Sequence, residues 1–204
     1  MQELRACRLN CTLKPAAESS STDRLLDDVG IELAGHGVAI DRPVRVVDRD
    51  LRPGVTADEG DGDEWPAMRE QILRSDIMVM GTPVWLGQPS SVAKRVLERM
   101  DAFLGETDDG GRMPTYGRVA LVAVVGNEDG AHHVAAELYQ ALNDVGFSLA
   151  PNAVTYWVGE AMGSTDYGEL DRVPDAVSSA TALAVGNAVH LARLLRQSPL
   201  PAAG

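Results

Sequence analysis

The feature that most restricts the fold is the alternation of short apolar segments with longer segments of helical periodicity. Two of the short segments, "IMVMG" at 77–81 and "VALVAVV" at 119–125, are apolar at nearly every position. A strand of this kind has both faces covered, as in parallel sheets that carry helices on both sides. The pattern therefore predicts an α/β architecture of three layers, with a sheet between two layers of helices.

Five strands and five helices are predicted from this alternation. The strands are expected at Leu4–Asn10, Val44–Asp48, Ile77–Gly81, Val119–Val125 and Ala153–Val158. The helices are expected at Thr22–Ala34, Trp65–Ser75, Ser90–Phe103, Ala131–Val145 and Pro174–Arg196. Arg5 and Arg8 interrupt the first strand, which favours an edge position or a short strand for it.

Chain length and composition limit the classes of protein that remain. A chain of 204 residues supports one substantial core, so we expect one domain over residues 1–204, with its core at about 4–196 and a C-terminal tail at 197–204. A net charge of -12 argues against nucleic-acid binding. No apolar run reaches the roughly 18 residues of a membrane span, and no signal peptide is recognised, so a cytoplasmic location is expected.

Cysteines and acidic residues also restrict the possible sites. Cys7 and Cys11 are the two cysteines of the sequence, too few for a disulfide framework or a four-cysteine cluster. The acidic segment "DEGDGDE" at 58–64 lacks the EF-hand spacing and is interpreted as a solvated loop. His132 and His133 are adjacent and diverge by about 100° on a helix, so no metal site is predicted.

The loop after the first strand is rich in hydroxyl groups. Thr12, Lys14, Ser20, Ser21 and Thr22 precede or begin the first helix, and Thr22 or Ser21 can cap it. The start of a helix offers free backbone N–H groups and a positive dipole end, which favour a phosphate. A polar connection with an oversupplied cap is equally consistent with this loop alone. Neither a Walker loop nor a dinucleotide-binding glycine motif is present.

The loops after the third and fourth strands differ in chemistry. "GTPVWLGQPSS" at 81–91 places Trp85 and Leu86 at a loop tip, which favours a flat apolar ligand or a partner surface. The alternative is that these side chains cover another element of the fold. "GNEDGAHHV" at 126–134 offers amide, carboxylate and backbone groups for the polar edge of a heterocycle, or it is an ordinary turn. Since ligands bind at the carboxyl ends of such strands, the three loops together suggest a flavin mononucleotide (FMN) site.

Three segments resemble the flavodoxin-like, NAD(P)H-dependent FMN reductases, including the quinone-reductase branch. They are "LNCTLKPAAESSST", "GTPVWLGQPSSVAKRVLERMD" and "VVGNEDGAH", within a similarity that runs from about residue 4 to about residue 195. The resemblance implies a five-stranded parallel sheet of order 2-1-3-4-5, non-covalent FMN, NAD(P)H as the electron donor, and a homodimer or homotetramer.

The resemblance also assigns residues to the cofactor. The FMN phosphate would be held by Thr12, Lys14, Ser20, Ser21 and Thr22. The ring and ribityl region would be lined by Thr82, Pro83, Val84, Trp85, Leu86 and Gly87. The pyrimidine edge would be surrounded by Asn127, Glu128, Gly130 and His132. Ser20 and Ser21 depart from the glycine and asparagine that the family often carries there.

The expected function is an FMN-dependent NAD(P)H oxidoreductase that passes electrons to a small-molecule acceptor of the quinone-like, nitro, azo or flavin type. The flavin carries the chemistry, so no catalytic side chain is predicted. The alternative is a flavodoxin-type electron-transfer protein that does not itself oxidise NAD(P)H. A hydrolase is least favoured, because "SVAK" at 91–94 lacks its companion motifs. Whether His132 has a role in the chemistry stays open.

Overall fold

The sheet runs through the middle of the molecule. The computed structural model describes residues 3–202. Its strands are β1 (Arg5–Asn10), β2 (Ala39–Ile40), β3 (Val44–Arg45), β4 (Ile77–Trp85), β5 (Gln88–Pro89), β6 (Val119–Val125) and β7 (Ser148–Trp157). Parallel pairing gives the order β2-β1-β4-β6-β7, while β3 pairs with β1 and β5 pairs antiparallel with β4.

Helices cover both faces of this sheet. They are α1 (Ser21–Gly35), α2 (Trp65–Leu73), α3 (Ser91–Met100), α4 (Ala131–Asp144) and α5 (Asp175–Gln197). Short 3-10 turns lie at Val46–Asp48, Asp101–Gly105 and Tyr167–Glu169. No helix within residues 3–202 combines the length and apolarity that a membrane crossing needs.

The strands divide their side chains between two buried clusters. In β4, Met78 and Met80 join the cluster under α2, α3 and α4, whereas Ile77 and Val79 join the cluster under α1 and α5. Every residue of β6 is buried in the same alternating way. The predicted three-layer, flavodoxin-like α/β class is therefore confirmed.

The predicted strand count of five is wrong, because residues 3–202 form seven strands. The second predicted strand, Val44–Asp48, is a strand only at Val44–Arg45 and then becomes a 3-10 turn. A separate strand at Ala39–Ile40 shares the same edge, and residues 41–43 interrupt the two. Pro43 lies in that interruption and lacks the N–H that a ladder needs. When β2 and β3 are counted together as the outer position, the parallel part of the sheet keeps the predicted order 2-1-3-4-5.

The predicted edge position of the first strand is also wrong. β1 has neighbours on both sides, and Arg8 faces the interruption between β2 and β3. Arg8 Nη1 donates to the carbonyl oxygen of Leu26 at 2.8 Å, and Nη2 donates to that of Asp41 at 2.6 Å. Gly30 makes room for this guanidinium, since a Cβ there would lie 2.2 Å from Nη1. A buried arginine is therefore accommodated within an inner strand.

The acidic segment at 58–64 is a loop with exposed residues at 58 and 60–62, as predicted, but its interpretation as a solvated loop missed that Asp63 anchors it to the core. The Asp63 carboxylate is fully buried and lies 2.7 Å from Arg99 Nη2, and Glu59 lies 3.0 Å from Arg99 Nη1. Burial opposes the charge of Asp63, but hydrogen bonds from the backbone of Glu59, Trp65 and Arg52 and the charge of Arg99 outweigh it and lower its pKa. The ion pair therefore fixes this loop onto α3.

We expect Asp63→Ala to lower the free energy of unfolding by about 3 kcal/mol, at the low end of the range for breaking a buried pair, because Glu59 still faces Arg99. Denaturant unfolding measures this change. The control is Asp61→Ala in the same acidic segment, where the residue is exposed and about ±0.5 kcal/mol is expected. Equal effects of the two substitutions would contradict the anchoring role.

The same pair predicts a pH dependence. Because the pKa of Asp63 is lower in the folded chain than in the unfolded one, its stabilisation is present above the unfolded value of about 4 and is lost as pH falls. The stability difference between the natural chain and Asp63→Ala should therefore shrink in acid.

Candidate functional site

A cleft of about 340 Å³ opens at the carboxyl ends of β1, β4, β6 and β7. This volume lies within the roughly 300–1,000 Å³ typical of small-molecule sites. Ten of the fifteen residues predicted to bind a cofactor line it: Thr12, Lys14, Ser20, Ser21, Thr22, Pro83, Val84, Trp85, Asn127 and Glu128. The three predicted loops thus meet at one cleft.

One end of the cleft is the start of α1. Ser20 is the N-cap, with extended backbone and an Oγ that accepts from the Asp23 N–H at 3.3 Å. The predicted cap at Thr22 or Ser21 is therefore wrong by one or two residues. Ser21 and Thr22 become the first two helical residues, whose N–H groups have no partner within a helix. These amides, the nearby hydroxyls and Lys14 make this end suited to an anion.

The loop before α1 is held in place by a charged network. The Arg45 guanidinium donates to the carbonyl oxygen of Lys14 at 2.6 Å and pairs with the carboxylate of Asp23. The Asn10 side chain donates to the same carboxylate and accepts from the Thr12 N–H at 3.0 Å. β1, β3 and α1 therefore fix the loop together, and the hydroxyl-rich end of the cleft is preorganised.

The apolar wall comes from the end of β4 and the turn into β5. Pro83, Val84 and Trp85 line the cleft, and the Trp85 side chain is 54% exposed. Leu86 follows at the turn tip, 92% exposed, with φ of 52°, and does not line the cleft. A left-handed backbone is costly for a leucine, which is consistent with a turn fixed by its surroundings.

Two further predicted residues, Thr82 and Gly87, support the wall from outside the cleft. Thr82 is fully buried, and its Oγ1 accepts from the N–H of Ser90, the N-cap of α3. The Gly87 N–H donates to Glu128 Oε1 at 3.3 Å, which joins the turn after β4 to the loop after β6.

Gly130 and His132 also lie outside the cleft lining. Gly130 has φ of 128°, and a Cβ there would lie 2.8 Å from the Cα of Gly87. His132 Nε2 lies 3.1 Å from the Tyr156 hydroxyl, with the two rings edge to face. Gly130 thus permits close contact between two loops, and His132 packs beside β7.

The fourth wall is formed by residues 158–170, hereafter the closing segment, which sequence reasoning missed. It contributes Met162, Gly163, Asp166 and Tyr167 to the cleft. The loop after β6 holds its near end: the Met162 N–H donates to the carbonyl oxygen of Asn127 at 2.6 Å, and the Asn127 amide donates to Asp166 Oδ1 at 2.7 Å. The cleft is therefore enclosed on the side of β7.

The far end of the closing segment rests on α1. The Tyr167 hydroxyl donates to Asp28 Oδ2 at 2.6 Å, and the Gly168 N–H donates to Ser21 Oγ at 3.1 Å. Burial, together with Asp28, raises the pKa of Tyr167, so this phenol stays protonated and keeps donating. The rings of Trp157 and Tyr167 pack with their centroids 5.5 Å apart. These two aromatic residues are the sequence signal from which a wall after the fifth predicted strand could have been predicted.

Comparison with known proteins identifies the family of this chain. The model of the family described as NADPH-dependent FMN reductase matches residues 9–162, and the chain belongs to that family. The resemblance found in the sequence is confirmed, and with it FMN as the flavin and NAD(P)H as the electron donor expected of the family.

Two curated relatives match almost the whole chain. A divalent metal cation transporter MntH of Mycobacterium bovis is 36% identical over 200 residues, which cover 95% of this chain but only 29% of that protein. The 8-demethyl-8-aminoriboflavin-5'-phosphate synthase of Streptomyces davaonensis is 34% identical over 207 residues, covering 96% of this chain and 80% of the relative.

A solved structure is similar over nearly the same length. It is RosB with the bound intermediate 8-demethyl-8-formylriboflavin-5'-phosphate, at 33% identity and a TM-score of 0.87, covering 97% of this chain and 82% of the other. The fold and a flavin phosphate ligand thus occur together in a protein similar to this one.

We expect Gly130→Ala to lower the free energy of unfolding by about 1–3 kcal/mol, because a side chain is strained at φ of 128° and would meet the backbone of Gly87. Denaturant unfolding checks this. Gly35→Ala is the control, since a Cβ there has nothing within 4 Å, and no loss is expected. Similar stabilities for the two variants would contradict the close contact between the loops.

Proposed function

We propose that the cleft binds FMN non-covalently and that the chain is an NAD(P)H-dependent FMN oxidoreductase. The observation that carries the proposal is the junction of two unlike surfaces in one cleft. A helix N-terminus with hydroxyls and Lys14 lies at one end, and the apolar wall around Trp85 and Trp157 lies beside it. A phosphate attached to a planar ring system has both properties.

The residues present fit such a ligand at each part. Ser21 and Thr22 supply backbone N–H groups for phosphate oxygens, with Lys14 as a cation. Pro83, Val84 and Trp85 provide apolar surface for a ring. Asn127 gives one amide hydrogen to Asp166 and has a second hydrogen and an oxygen available for a polar ring edge.

The chain's own contribution is to bind and orient the flavin and to shield it from water. Bound FMN supplies the redox chemistry. Neither cysteine competes with that role: burial raises the pKa of Cys7 to about 12 and raises that of Cys11 as well, so both thiols stay protonated. Because the flavin supplies the chemistry, the main task of Trp85 and the closing segment is to position its ring.

The electron acceptor and the nicotinamide are proposed to bind at the mouth of the cleft. Trp85 and Met162, which is 86% exposed, line the cleft and present apolar surface to solvent. Met162, like Leu86, has a left-handed backbone, with φ of 62°. Exposed apolar groups around a ligand cleft suit a flat partner. A quinone-like, nitro, azo or flavin acceptor has that shape, as does a nicotinamide ring.

A second candidate is an enzyme that modifies the flavin itself. The similarity to RosB, whose structure holds an 8-formyl derivative of riboflavin phosphate, favours this candidate. FMN would then be a substrate that leaves in altered form. The expected homodimer or homotetramer, the cytoplasmic location and the single domain remain part of the proposal.

One experiment separates these functions. The purified chain is incubated with FMN and with NADH or NADPH, with and without a quinone, and the flavin is afterwards extracted and weighed by mass spectrometry. Rapid quinone-dependent nicotinamide oxidation with unchanged FMN supports the oxidoreductase. A changed flavin mass supports the modifying enzyme. Bound FMN with neither reaction supports an electron carrier, and no bound flavin would overturn the FMN site.

The ring contact has its own prediction. Trp85→Ala should weaken FMN binding about tenfold, which corresponds to roughly 1.4 kcal/mol, because an aromatic face is lost from the cleft wall. Leu86→Ala is the control, since Leu86 is the next residue but lies outside the lining. Fluorescence titration measures both affinities, and an equal effect of the two substitutions would argue against the ring position.

A further inference from the structure

Arg24, in the first turns of α1, holds the far end of the closing segment. Its Nη1 donates towards three backbone carbonyl oxygens, those of Tyr167 at 3.0 Å, Gly168 at 3.2 Å and Leu170 at 2.5 Å. The guanidinium carbon also lies 5.4 Å from the centroid of the Tyr167 ring. One side chain of α1 thus fixes a turn that lies more than 140 positions later in the sequence.

The turn that Arg24 holds also carries part of the cleft lining. Asp166 and Tyr167 line the cleft, and Asp166 also accepts from the side-chain amide of Asn127, in the loop after β6. Ser21 accepts from the N–H of Gly168, so the start of α1 contacts both the cleft and the closing segment. Any loosening of this turn would move a cleft wall.

The type of contact distinguishes Arg24 from the other arginine beside the cleft. Arg45 is neutralised by Asp23. Among residues 3–202, Arg24 has no carboxylate within ion-pair distance, and its hydrogens go to carbonyl oxygens. All three contacts are made by one nitrogen, Nη1. The planar guanidinium also lies over the Tyr167 ring, whereas a lysine ammonium is a compact charge without such a plane.

We propose that Arg24 is a positioning residue for the flavin: it keeps the closing segment against α1 and so completes the wall that contacts the ring. This inference rests on the proposed FMN site. Arg24 is proposed to hold the wall in place and not to bind the phosphate, although it lies in the same helix turn as the hydroxyl groups of Ser21 and Thr22. A role in the wall and a role at the phosphate predict different effects of Arg24 substitutions on the affinities of FMN and riboflavin.

The experiment measures the dissociation constants of FMN and riboflavin for the natural chain, Arg24→Ala and Arg24→Lys. If Arg24 shapes the wall, Arg24→Ala weakens both ligands by a similar factor, about tenfold, and Arg24→Lys does not restore affinity. If Arg24 instead acts through its charge on the phosphate, FMN loses more than riboflavin and Arg24→Lys restores it, which would overturn the proposal.

Arg172→Ala is the matched control. Arg172 lies just after the closing segment in sequence, but it is 80% exposed and pairs only with Asp175 in the described chain. Unchanged flavin affinity is expected for it. Arg24→Ala with the same affinity as the natural chain would overturn the positioning role and leave the FMN site intact. Failure of the natural chain to bind either flavin would overturn the FMN site and this inference with it.

Limited proteolysis gives a second readout that remains available if Arg24→Ala folds poorly. In folded Arg24→Lys, we expect faster cleavage within residues 158–170 than in the natural chain, and FMN should slow that cleavage. Unaltered cleavage in Arg24→Lys, together with unaltered flavin affinity, would contradict the proposal.

Discussion

Burial of the sheet on both faces is the constraint on which the rest of the structure depends. β4 and β6 give alternate side chains to two cores, and helices cover both. These two strands carry no charged side chain, and the polar groups of the cleft come mainly from the residues at and after the strand ends. Four strands end beside one cleft, so the residues that follow them meet without being close in sequence.

The first turns of α1 connect the parts of this cleft. Ser20 caps the helix. Asp23 pairs with Arg45 and accepts a hydrogen bond from Asn10, which fixes the preceding loop. Arg24 fixes the closing segment. The proposed phosphate end of the cleft and its closing wall therefore share one support. Such sharing favours a ligand that has both a phosphate and a ring system.

The parts of this arrangement that are local in sequence could be predicted. Continuous apolar runs identified the long strands, and hydroxyl, aromatic and amide residues after three of them identified ten lining residues. The predictions were wrong where the position of a residue depends on partners that are distant in the sequence. Arg8 is tolerated in an inner strand because residues 41–43 interrupt the edge and Gly30 leaves space, and Asp63 is buried because Arg99 meets it. The closing segment was missed because α1 holds it through contacts between residues 139 to 147 positions apart.

The central claim is that the cleft binds FMN with its phosphate at the start of α1. The most direct test is the affinity of FMN and of riboflavin for the natural chain and for a chain carrying Ser21→Ala and Thr22→Ala. If the phosphate lies at the start of α1, the double substitution weakens the binding of FMN much more than that of riboflavin, because only FMN carries the phosphate. Equal losses for the two ligands would contradict the phosphate position.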